Sequence, residues 1–140
     1  MNRHIPGLSQ EALNGAEIPE GVFLVRVERA HYRLHPRKPF FALRFSILQP
    51  EELADQTFPG RLYCTKKALW KLSWFLRDFG YDTELLGRDE VDEKELIGLR
   101  GIVKVSHSTV NGHSYLNLDG FAPEWGWNDI STASAEKGQD

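Results

Sequence analysis

The sequence predicts a mainly β fold of five strands with one principal helix between the third and fourth. Three patterns predict it: apolar and polar residues alternating from Gly21 and again from Phe40, an apolar helical stripe from Ala68 to Phe79, and an Asn111-Gly112 pair between two further alternating runs. At 140 residues, 41% of them hydrophobic, the chain can bury one core and has no room for two ordinary domains.

Residues 1–18 show no sustained period and are expected to be a flexible segment, and Pro19-Glu20-Gly21 then turns the chain into the first strand. Phe23, Val25 and Val27 alternate with Leu24, Arg26 and Glu28, which predicts a strand with one buried face, running to about Tyr32. The loop His35-Pro36-Arg37-Lys38-Pro39 interrupts pairing through its prolines. Phe41, Leu43, Phe45 and Ile47 then alternate with Phe40, Ala42, Arg44 and Ser46 to give the second strand. The span Gln49 to Gly60 is polar and bounded by prolines, so it reads as a loop before a short third strand, Arg61 to Cys64.

Thr65 is placed to cap the helix. Ala68, Leu69, Leu72, Phe75, Leu76 and Phe79 share one helical face, and Gly80 follows its end. A short second helix is expected over Asp92 to Ile97, with Asp92 as cap and Gly98 as stop.

Asn111-Gly112 signals a type I′ hairpin turn and registers the last two strands, because pairing Val110 with His113 fixes every pair behind it. One face then carries His107 opposite Leu116, Val105 opposite Leu118 and Val103 opposite Gly120, and is expected to face the core. The other carries Ser108 with Tyr115, Ser106 with Asn117, Lys104 with Asp119 and Ile102 with Phe121. The ordered domain is expected over residues 19–127, with residues 128–140 a tail too poor in apolar residues to order itself.

Three strands, a helix and a two-strand hairpin follow the element order of the OB fold, a five-stranded Greek-key barrel, and closing the barrel removes the exposed sheet edges. An open α+β sheet is the alternative. The span Pro19 to Pro123, about three quarters of the chain, resembles a family of small phage- and prophage-encoded proteins, catalogued as a domain of unknown function, that is similar to single-stranded DNA-binding proteins. The resemblance is carried by Pro19-Glu20-Gly21, the Phe40 to Leu48 strand, Gly60-Arg61, the Leu69 to Gly80 helix, and Leu96-Ile97-Gly98 leading into Gly101 to Val105. It ends on Asn111 to Tyr115 and Gly120 to Pro123. It implies an OB fold that binds single-stranded DNA in replication or recombination. RNA and recombinase or replication proteins stay open as further partners, as does oligomer formation.

A net charge of −3 does not favour a polyanionic partner, but the charges are unevenly spread. Arg26, Arg29, Arg33, Arg37, Lys38 and Arg44 stand against Glu28 alone, whereas the span Asp82 to Glu95 is strongly acidic. In OB folds the cleft crosses strands two and three and is bordered by the loops joining strands one and two and strands four and five. Arg26, Arg33, Arg37, Lys38, Arg44, Arg61, Lys104 and Asn111 are the candidates for holding phosphates there, and Tyr32, Phe40, Tyr63 and Tyr115 for stacking bases. The bland reading makes the cations a solvated surface and the aromatics covers for neighbouring side chains.

Trp70 and Trp74 stand one helical turn apart between Lys67 and Arg77; they suit a second nucleic-acid surface or a partner-docking face, but are expected rather to extend the buried stripe or to be covered by Trp125 and Trp127. An assembly module docking a protein on these tryptophans is the competing function. His4, His31, His35, His107 and His113 lack metal-ligand spacing, and His107 reads as a satisfied inward residue. No phosphate-binding glycine loop, nucleophile elbow or His-Glu-x-x-His is present, so neither catalysis nor a cofactor is expected. The single Cys64 excludes an intrachain disulfide and suits a reducing, cytoplasmic setting. No apolar run is long enough to span a bilayer, and the first residues lack a signal-peptide core, so a soluble, unprocessed protein is expected.

Overall fold

The computed structural model describes residues 18–129. Strands β1 (Gly21–Arg33), β2 (Phe40–Gln49), β3 (Thr57–Tyr63), β4 (Arg100–Val110) and β5 (His113–Pro123) form one open antiparallel sheet in the order β3-β2-β1-β4-β5. Between β3 and β4 lie α1 (Leu69–Asp78), α2 (Thr83–Gly87) and α3 (Glu93–Leu96). The alternating apolar residues Phe23, Val25, Val27, Phe41, Leu43, Phe45 and Ile47 are all buried on one side of the sheet. Leu72, Phe75 and Leu76 of α1 close over them, with the Phe45 ring stacked on Phe58 at 5.3 Å and meeting Phe75 edge-on at 6.2 Å.

The outer strands β3 and β5 approach one another under α1, which touches both. Gly60 of β3 lies against the Leu118 side chain of β5, although no backbone ladder joins these strands among the described residues.

Several expectations are corrected. The third strand begins at Thr57 rather than Arg61, because β3 is an edge strand and Pro59 needs no ladder donor on its open side. An additional helix, α2, is fixed by Asp82, whose carboxylate accepts from Glu84 N at 2.8 Å and Leu85 N at 3.1 Å. Thr65 caps only through its carbonyl, which accepts from Ala68 N across a turn of 3-10 helix, Lys66–Ala68. Leu69 is exposed rather than part of the buried stripe. The core begins at Ile18, one residue before the expected boundary, and the rest of the N-terminal segment lies outside the described residues. Residues 127–129 are helical, and the rest of the expected tail, residues 130–140, lies outside the described residues.

The expected α3 is present, with the Asp92 carboxylate accepting from Lys94 N at 2.9 Å and Gly98 at φ +92° behind it. The type I′ turn is formed, with φ 52° at Asn111 and φ 80° at Gly112. The predicted pairs hold from Val110↔His113 to Val105↔Leu118, where Asp119 bulges out and Lys104 pairs with Gly120 instead. The bulge turns Phe121 inward opposite Val103, against the expectation that it faces away from the core.

Candidate nucleic-acid interface

Because β1, β2 and β3 bury alternate residues, the intervening side chains share the face turned away from the core, and the pairing sorts them into rows. Arg33, Phe40 and Tyr63 form one row, followed by His31, Ala42 and Arg61, then Arg29, Arg44 and Pro59. Phe40 and Tyr63 hold their rings 5.5 Å apart at 51°, and the Arg61 guanidinium lies 4.8 Å above the Phe40 ring. Arg44 is half-buried and donates from Nη1 to Thr57 Oγ1 at 3.0 Å. Along the sheet, Arg26 is flanked by Ser46 and Arg100, and Val22 by Lys104.

A second bulge decides who belongs to this face. Val27 pairs with Phe45 and Arg29 with Arg44, leaving Glu28 as an extra residue that inverts the facing of the rest of β1. Strict alternation places Tyr32 outward and Arg29 and His31 inward, and the structure reverses all three. Tyr32 turns to the core side, its ring edge-on to Phe41 at 5.2 Å, and lines a cavity of about 850 Å³ with Cys64, Leu72 and the acidic run Asp89 to Glu93. Tyr32 is therefore not beside Phe40 and Tyr63. Burial pushes the thiol of Cys64 up from its ordinary value.

Arg29, His31 and Arg100 are the members of the face that sequence reasoning missed. Arg29 and His31 required the bulge, for which the signal is Ala30 buried three residues after Val27 rather than two. His31 also reaches Glu93 of α3 at 3.8 Å, a pairing that exists only when the imidazole is protonated. Arg100 faces Glu124 at 3.5 Å on the turn Glu124–Gly126, which covers Ile102 and bounds the cationic face on the β4 side.

The two bordering loops, expected to meet at one cleft, stand instead at opposite ends of the sheet, so Asn111 is not beside Arg37 and Lys38. The loop after β1 is organised by His35, whose Nδ1 accepts from Arg37 N and Lys38 N, each at 3.2 Å, leaving both cationic side chains exposed. The β4–β5 hairpin runs past the opposite end, since Gly21 pairs with Val105 and the tip at Asn111 lies beyond it. Tyr115 is exposed on the outward side of this hairpin, where Asn117 Nδ2 donates to Ser108 Oγ at 3.1 Å. His107 faces inward as expected, yet its buried Nε2 has no hydrogen-bond partner among the described residues. Its backbone N donates to Glu20 Oε1 at 2.7 Å.

Among the described residues no cluster of His, Cys, Asp or Glu is arranged to hold a metal, and no helix is long and apolar enough to cross a membrane. Compared with known proteins, the chain matches no family model and no curated protein.

Proposed function

We propose that the chain is a non-catalytic single-stranded DNA-binding protein of phage-type replication or recombination, using the outer face of an OB-like barrel whose seam is the approach of β3 to β5. The observation that carries the reading is the row Arg33, Phe40, Tyr63 with Arg61 over Phe40, which sets aromatic surface and fixed cations side by side across adjacent strands. Single-strand binding without sequence preference needs both, one to stack bases and the other to neutralise phosphates. Tyr63, Tyr115 and the Arg61 guanidinium plane stack bases, and Arg26, Arg29, Arg33, Arg37, Lys38 and Lys104 meet phosphates. The resemblance of residues 19–123 to a phage-encoded family of unknown function, itself similar to single-stranded DNA-binding proteins, is in keeping with this reading.

The test is a titration of fluorescent oligo-dT, matched duplex and RNA at two salt concentrations. Single-strand affinity is expected to exceed duplex affinity and to fall with log salt at about −0.7 per phosphate neutralised. Binding that ignores salt, or none at all, overturns the proposal. Magnesium-dependent loss of the oligonucleotide would make the protein a nuclease.

A further inference from the structure

The row Arg33, Phe40, Tyr63 points off the edge of the sheet at β3, and the chain places matching chemistry beyond that edge. Tyr63 is the last residue of β3, and Lys66 follows three residues later, a reach of at most about 10 Å. Lys66 and Lys67 are exposed, and the first turn of α1 carries no acidic residue. One residue into that helix stands Trp70, 63% exposed, its ring 6.1 Å from that of Trp74 and within 26° of parallel.

Trp74 cannot turn freely. Its Nε1 donates to Asp78 Oδ2 at 2.8 Å, its ring meets Phe121 edge-on at 5.6 Å, and it lies so close over Gly120 that a Cβ there would come within 3.1 Å. Trp74 thus backs one side of Trp70 with a fixed ring, and neither makes a ring contact with Trp125 or Trp127. An aromatic plane held rigidly in solvent loses little freedom when a second plane stacks on it. The charges around it select what stacks: Lys66, Lys67 and Lys71 precede or flank Trp70, and the first acid after it along the helix, Asp78, is engaged by Trp74.

We infer that a bound single strand continues from the outer face of β3 over Lys66 and Lys67 onto α1, where a base stacks on Trp70 backed by Trp74. The inference rests on the proposed function and adds to it a second stacking platform, reached only by a strand long enough to round the sheet edge.

Oligo-dT of about 5 and of about 15 nucleotides, near the ends of the roughly 4 to 16 covered by single OB folds, tests it on the full chain. The longer probe is expected to quench tryptophan fluorescence more than the shorter. Trp70→Ala is expected to weaken the longer probe about tenfold, as for loss of one stacked base, and to leave the shorter unchanged. Trp70→Phe should recover part of the loss, and Lys66→Ala with Lys67→Ala should flatten the salt dependence of the longer probe only. If Trp70→Ala binds both probes as the wild type does, the extension is overturned, while the β2–β3 site stands. Equal weakening of both probes also overturns the extension. If neither probe binds the wild type, the proposed function itself has failed.

Discussion

Leu118 of β5 rests against Gly60 of β3, so near that a Cβ on residue 60 would fall 2.8 Å from Leu118 Cδ1 and 2.9 Å from Phe45 Cε2. The missing side chain leaves the room that the Leu118 and Phe45 side chains occupy. Gly60→Ala is expected to cost about 1 to 3 kcal/mol through overpacking, read from denaturant melts. Gly87→Ala in α2, with nothing within 4 Å of the added methyl group, serves as the control and should be neutral or slightly stabilising. Equal stability of the two variants would show that the contact between Gly60 and Leu118 has slack.

The hairpin register puts Tyr115 and Leu118 on opposite faces, so their substitutions should damage different properties. Leu118 is buried, and Leu118→Ala should lose about 2 to 5 kcal/mol of stability while the folded fraction still binds oligo-dT. Tyr115→Ala should keep its stability and lose about 1 to 3 kcal/mol of binding. An unfolded Tyr115→Ala beside a silent Leu118→Ala would remove the whole outward set from the interface.

The bulge at Glu28 separates neighbours in the same way. Arg29→Ala is expected to weaken oligo-dT binding and make the salt slope shallower by about 0.7, whereas Tyr32→Ala should leave both unchanged. Should Tyr32→Ala be the damaging variant, the strand runs through the acidic cavity side and the outer rows must be abandoned.

Arg37 and Lys38 are held outward by the turn at His35. Replacing both by alanine should weaken all sequences about equally and reduce the salt slope by about 1 to 1.5 units, since phosphate contacts carry no base information. Discrimination between oligonucleotides that changed in the double variant would mean that this loop reads bases.

Most of the architecture was legible because it rests on local patterns. The alternation through Phe41 to Ile47, the helical stripe of Leu72, Phe75 and Leu76, and the Asn111-Gly112 turn each declare themselves within a few residues, and each is present. What failed was phase. One extra residue at Glu28 and another at Asp119 invert everything beyond them, and period-two reading has no term for an inserted residue. The second insertion did leave a trace, Leu118 and Phe121 three apart with Gly120 between, whereas the first has only Ala30 to mark it. The edge position of β3 was equally invisible, since it depends on pairing far along the chain, and so Pro59 looked like a stop. Individual aromatics could be named from the sequence, but which of them stand side by side could not.

The opposed facing of Tyr32 and Arg33 has a kinetic consequence. One side of that strand end opens on the carboxylates Asp89, Glu90, Asp92 and Glu93, while the other presents Arg33 and Arg29, so adjacent residues border fields of opposite sign. At distances beyond the screening length of about 8 to 10 Å, a polyanion meets only a molecule of net charge −3, which neither attracts nor orients it usefully. Inside that length the local sign takes over, turning away encounters on the carboxylate side and drawing in those on the arginine side. Orientation would then be settled during approach rather than after contact, and added salt would slow association more than it hastens release.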